Sequence, residues 1–250
     1  MAWIASPTEL TTSITDAFLS IECIAILIYL WRSPTGDRWR VSLWCWAFGL
    51  LAFASLAGAV AHGLEMPNAF RAALWKPLYL TLGLLVALFL VGAFFDWRGR
   101  AVAIRLVPWA IGLGGIFLVV TQFLKGGFII FVIYETAAMV SALAIYSFLA
   151  ATHRLKGAAV VAMAIFLNLV AAGLQASSVS SKVFVPLDHN GIFHLVQMVG
   201  IATLGLGLRI GMKLDAKPGA GEPNRAAFDQ LSAQPHWQPS QAKGIGNRLK

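Results

Sequence analysis

Charge is the scarcest property of this chain. Asp, Glu, Lys and Arg together make up 12% of its 250 residues, about half the ~25% of a soluble domain. Hydrophobic residues make up 58%, and no soluble globular core needs so many. Basic residues are missing from the first eleven positions. A secretory signal with a basic n-region is therefore not expected there, and the first apolar segment is expected to be retained. There are only two cysteines, Cys23 and Cys45. Both lie in apolar segments at different depths, so they are read as small buried residues rather than a disulfide. Neither His-Glu-x-x-His nor Gly-x-Ser-x-Gly occurs. The last apolar segment has no lysine on which a retinal Schiff base could form.

What the chain does have is apolar length. A bilayer core is crossed by roughly 20 apolar residues, and seven stretches qualify: 12–31, 41–64, 73–95, 104–124, 127–151, 157–177 and 189–211. The fold class expected is an all-α membrane protein, a seven-helix bundle over residues 1–212, followed by a polar tail at 213–250. The tail is rich in Pro, Gly, Gln and Ser and lacks the apolar area to fold alone. No internal repeat marks two homologous halves. The net charge of +8 is explained by topology, without a nucleic-acid partner. Arg32, Arg38, Arg40, Arg98, Arg100, Arg154 and Lys156 flank one side, together with the basic residues of the tail. Only Arg71, Lys125 and Lys182 flank the other. Basic residues favour the cytoplasm, so the N-terminus is expected outside and the C-terminus in the cytoplasm, in a bacterial inner membrane. Trp3, Trp31, Trp39, Trp75 and Trp97 lie near span ends and read as interface anchors. Gly112, Gly114, Gly115, Gly207 and Gly211 read as points of close helix approach.

The functional signal is polar residues inside apolar spans, which are costly there and mark sites by default. The stretch from Asp188 to Gln197 opens span seven with His189, Asn190, His194 and Gln197. Asp188 itself reads as the helix N-cap. Span two ends with Ser55, His62 and Glu65 on one helical face. Span three opens with Lys76 and Tyr79, and span five reaches Tyr134 and Glu135. Thr121, Gln122, Asn168 and Gln175 close spans four and six, and span one adds Asp16 and Glu22. All fall in the half of the bilayer read as outer except Glu22, which lies near mid-membrane, while the inner half reads as almost purely apolar within the spans. His153 reads as solvated, and His236 lies in the tail. Imidazoles on two helices suit zinc. Glu65 or Glu135 would then act as base on a zinc-bound water, and Lys76, Tyr79 and Gln197 would contact the ligand. Haem held between His62 and His194 is the alternative cofactor.

Seven spans, Gly58-x-x-x-His62 at the end of span two and Ile192-Phe193-His194 in span seven resemble the CREST superfamily, which includes alkaline ceramidases and the adiponectin/progestin receptors. Its pattern is Ser-x-x-x-His, an Asp nearby, and His-x-x-x-His in the last span. The resemblance implies a zinc-dependent lipid amide or ester hydrolase, with His62, His194 and His189 as ligands. The chain departs from that pattern at several positions. Gly58 stands at the serine position, with Ser55 about one turn earlier. His189 and His194 are five apart, and Lys76 stands early in span three where an Asp would be. Two further classes stay open. One is a non-catalytic subunit or sensor that binds a lipid, quinone, pigment or haem and docks a membrane partner through its tail. The other is a proton-coupled carrier using Glu22, Glu135 and Lys76.

Overall fold

A computed structural model describes residues 2–33, 37–124, 127–181 and 185–215. Its helices are α1 (Pro7–Trp31), α2 (Arg38–Gly63), α3 (Asn68–Arg98), α4 (Arg100–Phe123), α5 (Gly127–Ala151), α6 (Ala158–Gln175) and α7 (His189–Asp215). All seven are long and apolar enough to cross a membrane. Lys125, Lys182, His236 and the rest of the tail beyond Asp215 lie outside the described residues.

α1 and α2 start before their apolar segments because polar residues cap them. Ser6 accepts from the Glu9 amide and Pro7 occupies the first turn, so α1 starts five residues before its apolar stretch. Asp37 accepts from the Trp39 and Arg40 amides and starts α2. Gly99 and Gly157, both at φ 85°, turn the chain between α3 and α4 and into α6, a backbone conformation that side chains resist.

Packing makes a closed ring in the order α1, α2, α3, α5, α6, α7 and back to α1, while α4 lies outside it against α3. Small residues set the close approaches. Ser13 and Ser20 donate to the Ala59 and Ala52 carbonyls of α2 at 2.7 and 2.9 Å. A side chain at Gly63 would strike Ser13, one at Gly207 would strike Val161, and one at Gly114 would strike Leu84. These contacts replace the hydrophobic drive that lipid cannot supply. Gly112 and Gly115 face open space instead, so the expectation of helix contacts there is not met. The peripheral position of α4 is the reason.

α1 is tied to α7 by a polar seam. Thr11 donates to the Pro186 carbonyl at 2.6 Å and Thr12 to the Asp188 carboxylate at 3.1 Å. The same Asp188 oxygen accepts from the Gly191 amide at 2.9 Å, so Asp188 caps α7 and also clamps α1. This seam closes the ring around a central cavity.

Candidate functional site

The cavity, of about 370 Å³, lies at the end of the bundle where α1, α3, α5 and α7 begin and α2 and α6 finish. That volume is within the range of small-molecule sites. Of the residues singled out in the sequence, Ser55, His62, Tyr79, Glu135, His189, His194 and Gln197 line it, with Gln175 and Asn190. Glu65 and Lys76 do not. Both are exposed, Glu65 in the α2–α3 connection and Lys76 on α3. Glu65 was read onto the face of Ser55 and His62, but α2 ends at Gly63, two residues before it. Lys76 had the right depth but sits on an exposed part of α3. Thr121 bonds the Leu118 carbonyl within peripheral α4. Tyr134 donates to the Gly83 carbonyl at 3.1 Å as a strut between α5 and α3. Trp75, read as an interface anchor, lines the cavity edge-on to His62 at 6.5 Å between ring centres.

The centre of the site is a pair that the sequence reading did not assemble. His194 Nε2 stands 3.4 Å from an Asp16 carboxylate oxygen, and His194 Nδ1 stands 3.1 Å from the Thr15 hydroxyl. Both side chains of the pair are buried, at 9% and 8% exposure. The Thr15 hydroxyl has one proton and two acceptors in reach, the Thr12 carbonyl at 2.9 Å and His194 Nδ1; when the carbonyl takes that proton, Nδ1 donates to Thr15. Nε2 then faces Asp16. A bare nitrogen and an ionised carboxylate would oppose lone pairs, so the pair holds one proton between them. In either arrangement, acid with imidazole or carboxylate with imidazolium, the pair is neutral overall. Burial in an apolar bundle demands that neutrality.

Gly58 makes the room for this. A Cβ at Gly58 would lie 2.7 Å from one Asp16 carboxylate oxygen. The missing side chain therefore accommodates a carboxylate delivered from α1. Gly58→Ala is expected to push Asp16 off His194 and to cost about 1–3 kcal/mol by overpacking, read as a lower unfolding temperature in detergent.

His62 is held separately. Its Nδ1 lies 2.7 Å from Glu9 at the start of α1. Among the described residues, no three His, Cys, Asp or Glu side chains stand where they could hold a metal ion. His189 lines the cavity but completes no such group, and both nitrogens of His194 are already engaged by Thr15 and Asp16. The donor set therefore does not fit zinc as it stands. Axial haem ligation by His194 would also require Asp16 to be displaced.

A family model described as a family of unknown function, DUF6962, matches residues 11–213. The chain belongs to that family. No curated protein and no solved structure matches it. The DUF6962 match runs from the first turns of α1 into the last turns of α7, so it includes both members of the Asp16–His194 pair.

A second, smaller cavity shares Leu51, Leu85, Glu135 and Gln197 with the first and continues between Trp44, Phe48, Phe89, Ile201 and Leu204. Its lining is apolar apart from Glu135, Asn168 and Gln197. One Glu135 oxygen is buried with no hydrogen-bond partner among the described residues, a cost that a donor arriving with a ligand would remove.

Proposed function

We propose that this is an integral membrane protein that binds an amphipathic membrane lipid in its central cavity. The polar part of the lipid would sit at Asp16, His62 and His194, and the chain would run toward Trp44 and Phe89. The observation that carries this reading is the division of the two adjoining cavities. The one at the bundle's end gathers Asp16, His62, Glu135, His189 and His194 among apolar side chains, and the one deeper in is hydrocarbon apart from Glu135, Asn168 and Gln197. The Asp16 oxygen that does not face His194 can accept from a lipid amide or hydroxyl. We place the cavity on the outer face of a bacterial inner membrane, with the N-terminus outside. The support is the clustering of Arg38, Arg40, Arg98, Arg100, Arg154 and Lys156 around the opposite ends of the helices.

The zinc-dependent lipid hydrolase implied by the CREST resemblance is the second reading. One feature favours it: Nδ1 of each histidine is held, by Glu9 for His62 and by Thr15 for His194. Outer-shell partners orient metal-binding imidazoles in this way. The two readings separate on detergent-purified protein. Lipid extraction and mass spectrometry are expected to find a stoichiometric lipid, with no zinc by elemental analysis and no haem absorption band. His62→Ala or His194→Ala should weaken lipid retention roughly tenfold or more, the weight of one buried hydrogen bond. His153→Ala, on an exposed turn, should not. Stoichiometric zinc lost in both cavity variants would favour the hydrolase. Equal effects from all three substitutions would sink the site assignment. A partner docked through the polar tail would appear as a co-purifying protein.

A further inference from the structure

The end of the bundle opposite the cavity was expected to be apolar within the spans and flanked by basic residues. It instead buries a charged network. Arg40, counted from the sequence among the flanking basic residues, has a side chain only 3% exposed, and its Nε lies 2.7 Å from Asp96, itself 1% exposed. Tyr146 donates to the other Asp96 oxygen at 2.7 Å. The Arg40 guanidinium also abuts Gly211, where an added Cβ would lie 3.1 Å from it. Four ring helices, α2, α3, α5 and α7, therefore meet at one point.

That point lies directly below the second cavity. Trp44 follows Arg40 by four residues, and Phe89 and Met139 precede Asp96 and Tyr146 by seven. Both spacings return to the same helical face, so the faces that line the cavity also carry the network, about 6–10 Å further along. Between them lies a floor of two rings, Trp44 edge-on to Phe89 at 5.3 Å, with Trp44 packed against Gly92. The Trp44 Nε1 is buried without a hydrogen-bond partner among the described residues. Water entering from below would satisfy it.

A permanently closed end needs only hydrocarbon. A buried ion pair is poor cement, since apolar replacements of similar volume often stabilise, and its best-attested use is as a switch or register device. Arg, Asp and Tyr have the property that leucines lack: when they part, water can satisfy their polar groups. We propose that the Arg40–Asp96–Tyr146 network is a gate that lets the cavity open to the second membrane face, so that the protein passes its cavity's occupant across the bilayer. This goes beyond lipid binding and does not rest on it.

The test uses the full chain with Cys23→Ala and Cys45→Ala, and Leu85→Cys in the wall shared by the two cavities. The chain is reconstituted in vesicles and labelled from each face with a small, charged, membrane-impermeant thiol reagent. The parent should label from the cavity face and, more slowly, from the network face. Asp96→Asn should speed labelling from the network face roughly tenfold or more, as loss of a buried charge pair implies. Arg40→Met with Asp96→Leu should abolish labelling from that face and leave the other unchanged. If Asp96→Asn does not fold, the parent and the apolar double variant carry the comparison alone. Should these two label identically from the network face, or neither label from it at all, the network is a clamp and the gate is overturned.

Discussion

Asp16→Leu is expected to cost about 1–3 kcal/mol of stability, because it removes the partner of the buried His194 Nε2. Asp16→Asn should cost far less. Its amide is nearly the same shape and can donate to Nε2, so the neutral imidazole stays satisfied at the 3.4 Å separation now seen. The two variants thus split apart what the pair does. Asparagine preserves packing and removes the proton. If chemistry is done on the bound lipid, turnover in Asp16→Asn should fall by about 10²–10⁴-fold, the usual weight of a positioned acid or base, while lipid retention stays near that of the parent. If the protein only binds, Asp16→Asn should behave as the parent in every assay and Asp16→Leu should lose lipid. Thermal unfolding, lipid retention and infrared detection of a carboxylic acid C=O stretch that disappears in Asp16→Asn are the three readouts. Asp16→Leu as stable as the parent would mean that the pair is not the buried, mutually satisfied unit described above.

The spans were legible because lipid imposes a simple demand, about 20 apolar residues each, and nothing in the sequence competes with it. His62, His194 and Gln197 were legible for the same reason inverted, as polar groups where hydrocarbon was expected. Asp16 was noticed but not paired, although α1 carries Glu9, Thr12, Ser13, Asp16 and Ser20 at helical spacings of three and four, a stripe that marks a buried polar face. Its pairing with His194 depends on α1 and α7 closing the ring, a contact across 178 residues that no local pattern encodes. Glu65 and Lys76 show the opposite error. They have the right depth, but which way a side chain faces at a helix end depends on where the helix begins and what it packs on. Arg40 and Asp96 sit at span ends, where charge is ordinary. Only the convergence of four helices reveals them as buried.

Gly157→Ala is expected to be among the most damaging single changes outside the cavity. Two independent penalties meet there. The backbone sits at φ 85° and ψ −9° as the N-cap of α6, which costs a residue with a side chain about 1–2 kcal/mol. An added Cβ would also strike the Gly207 carbonyl oxygen, with the Gly211 amide nitrogen only 3.3 Å away. Both are backbone atoms of α7 that cannot swing aside like a side-chain tip, so overpacking adds about 1–3 kcal/mol more. Gly211 is also where the Arg40 guanidinium rests, so moving α7 to relieve the clash would loosen the network at that end. Gly115→Ala provides the contrast. It lies within α4, meets nothing within 4 Å, and should be neutral or stabilising by up to about 1 kcal/mol through helix propensity. Unfolding temperatures in detergent check both, with Gly157→Ala far below the parent and Gly115→Ala at or above it. Similar values for the two would mean that the close approach of α6 to α7 at Gly157 is softer than the contact implies, and that the seal built on Gly211 is softer with it.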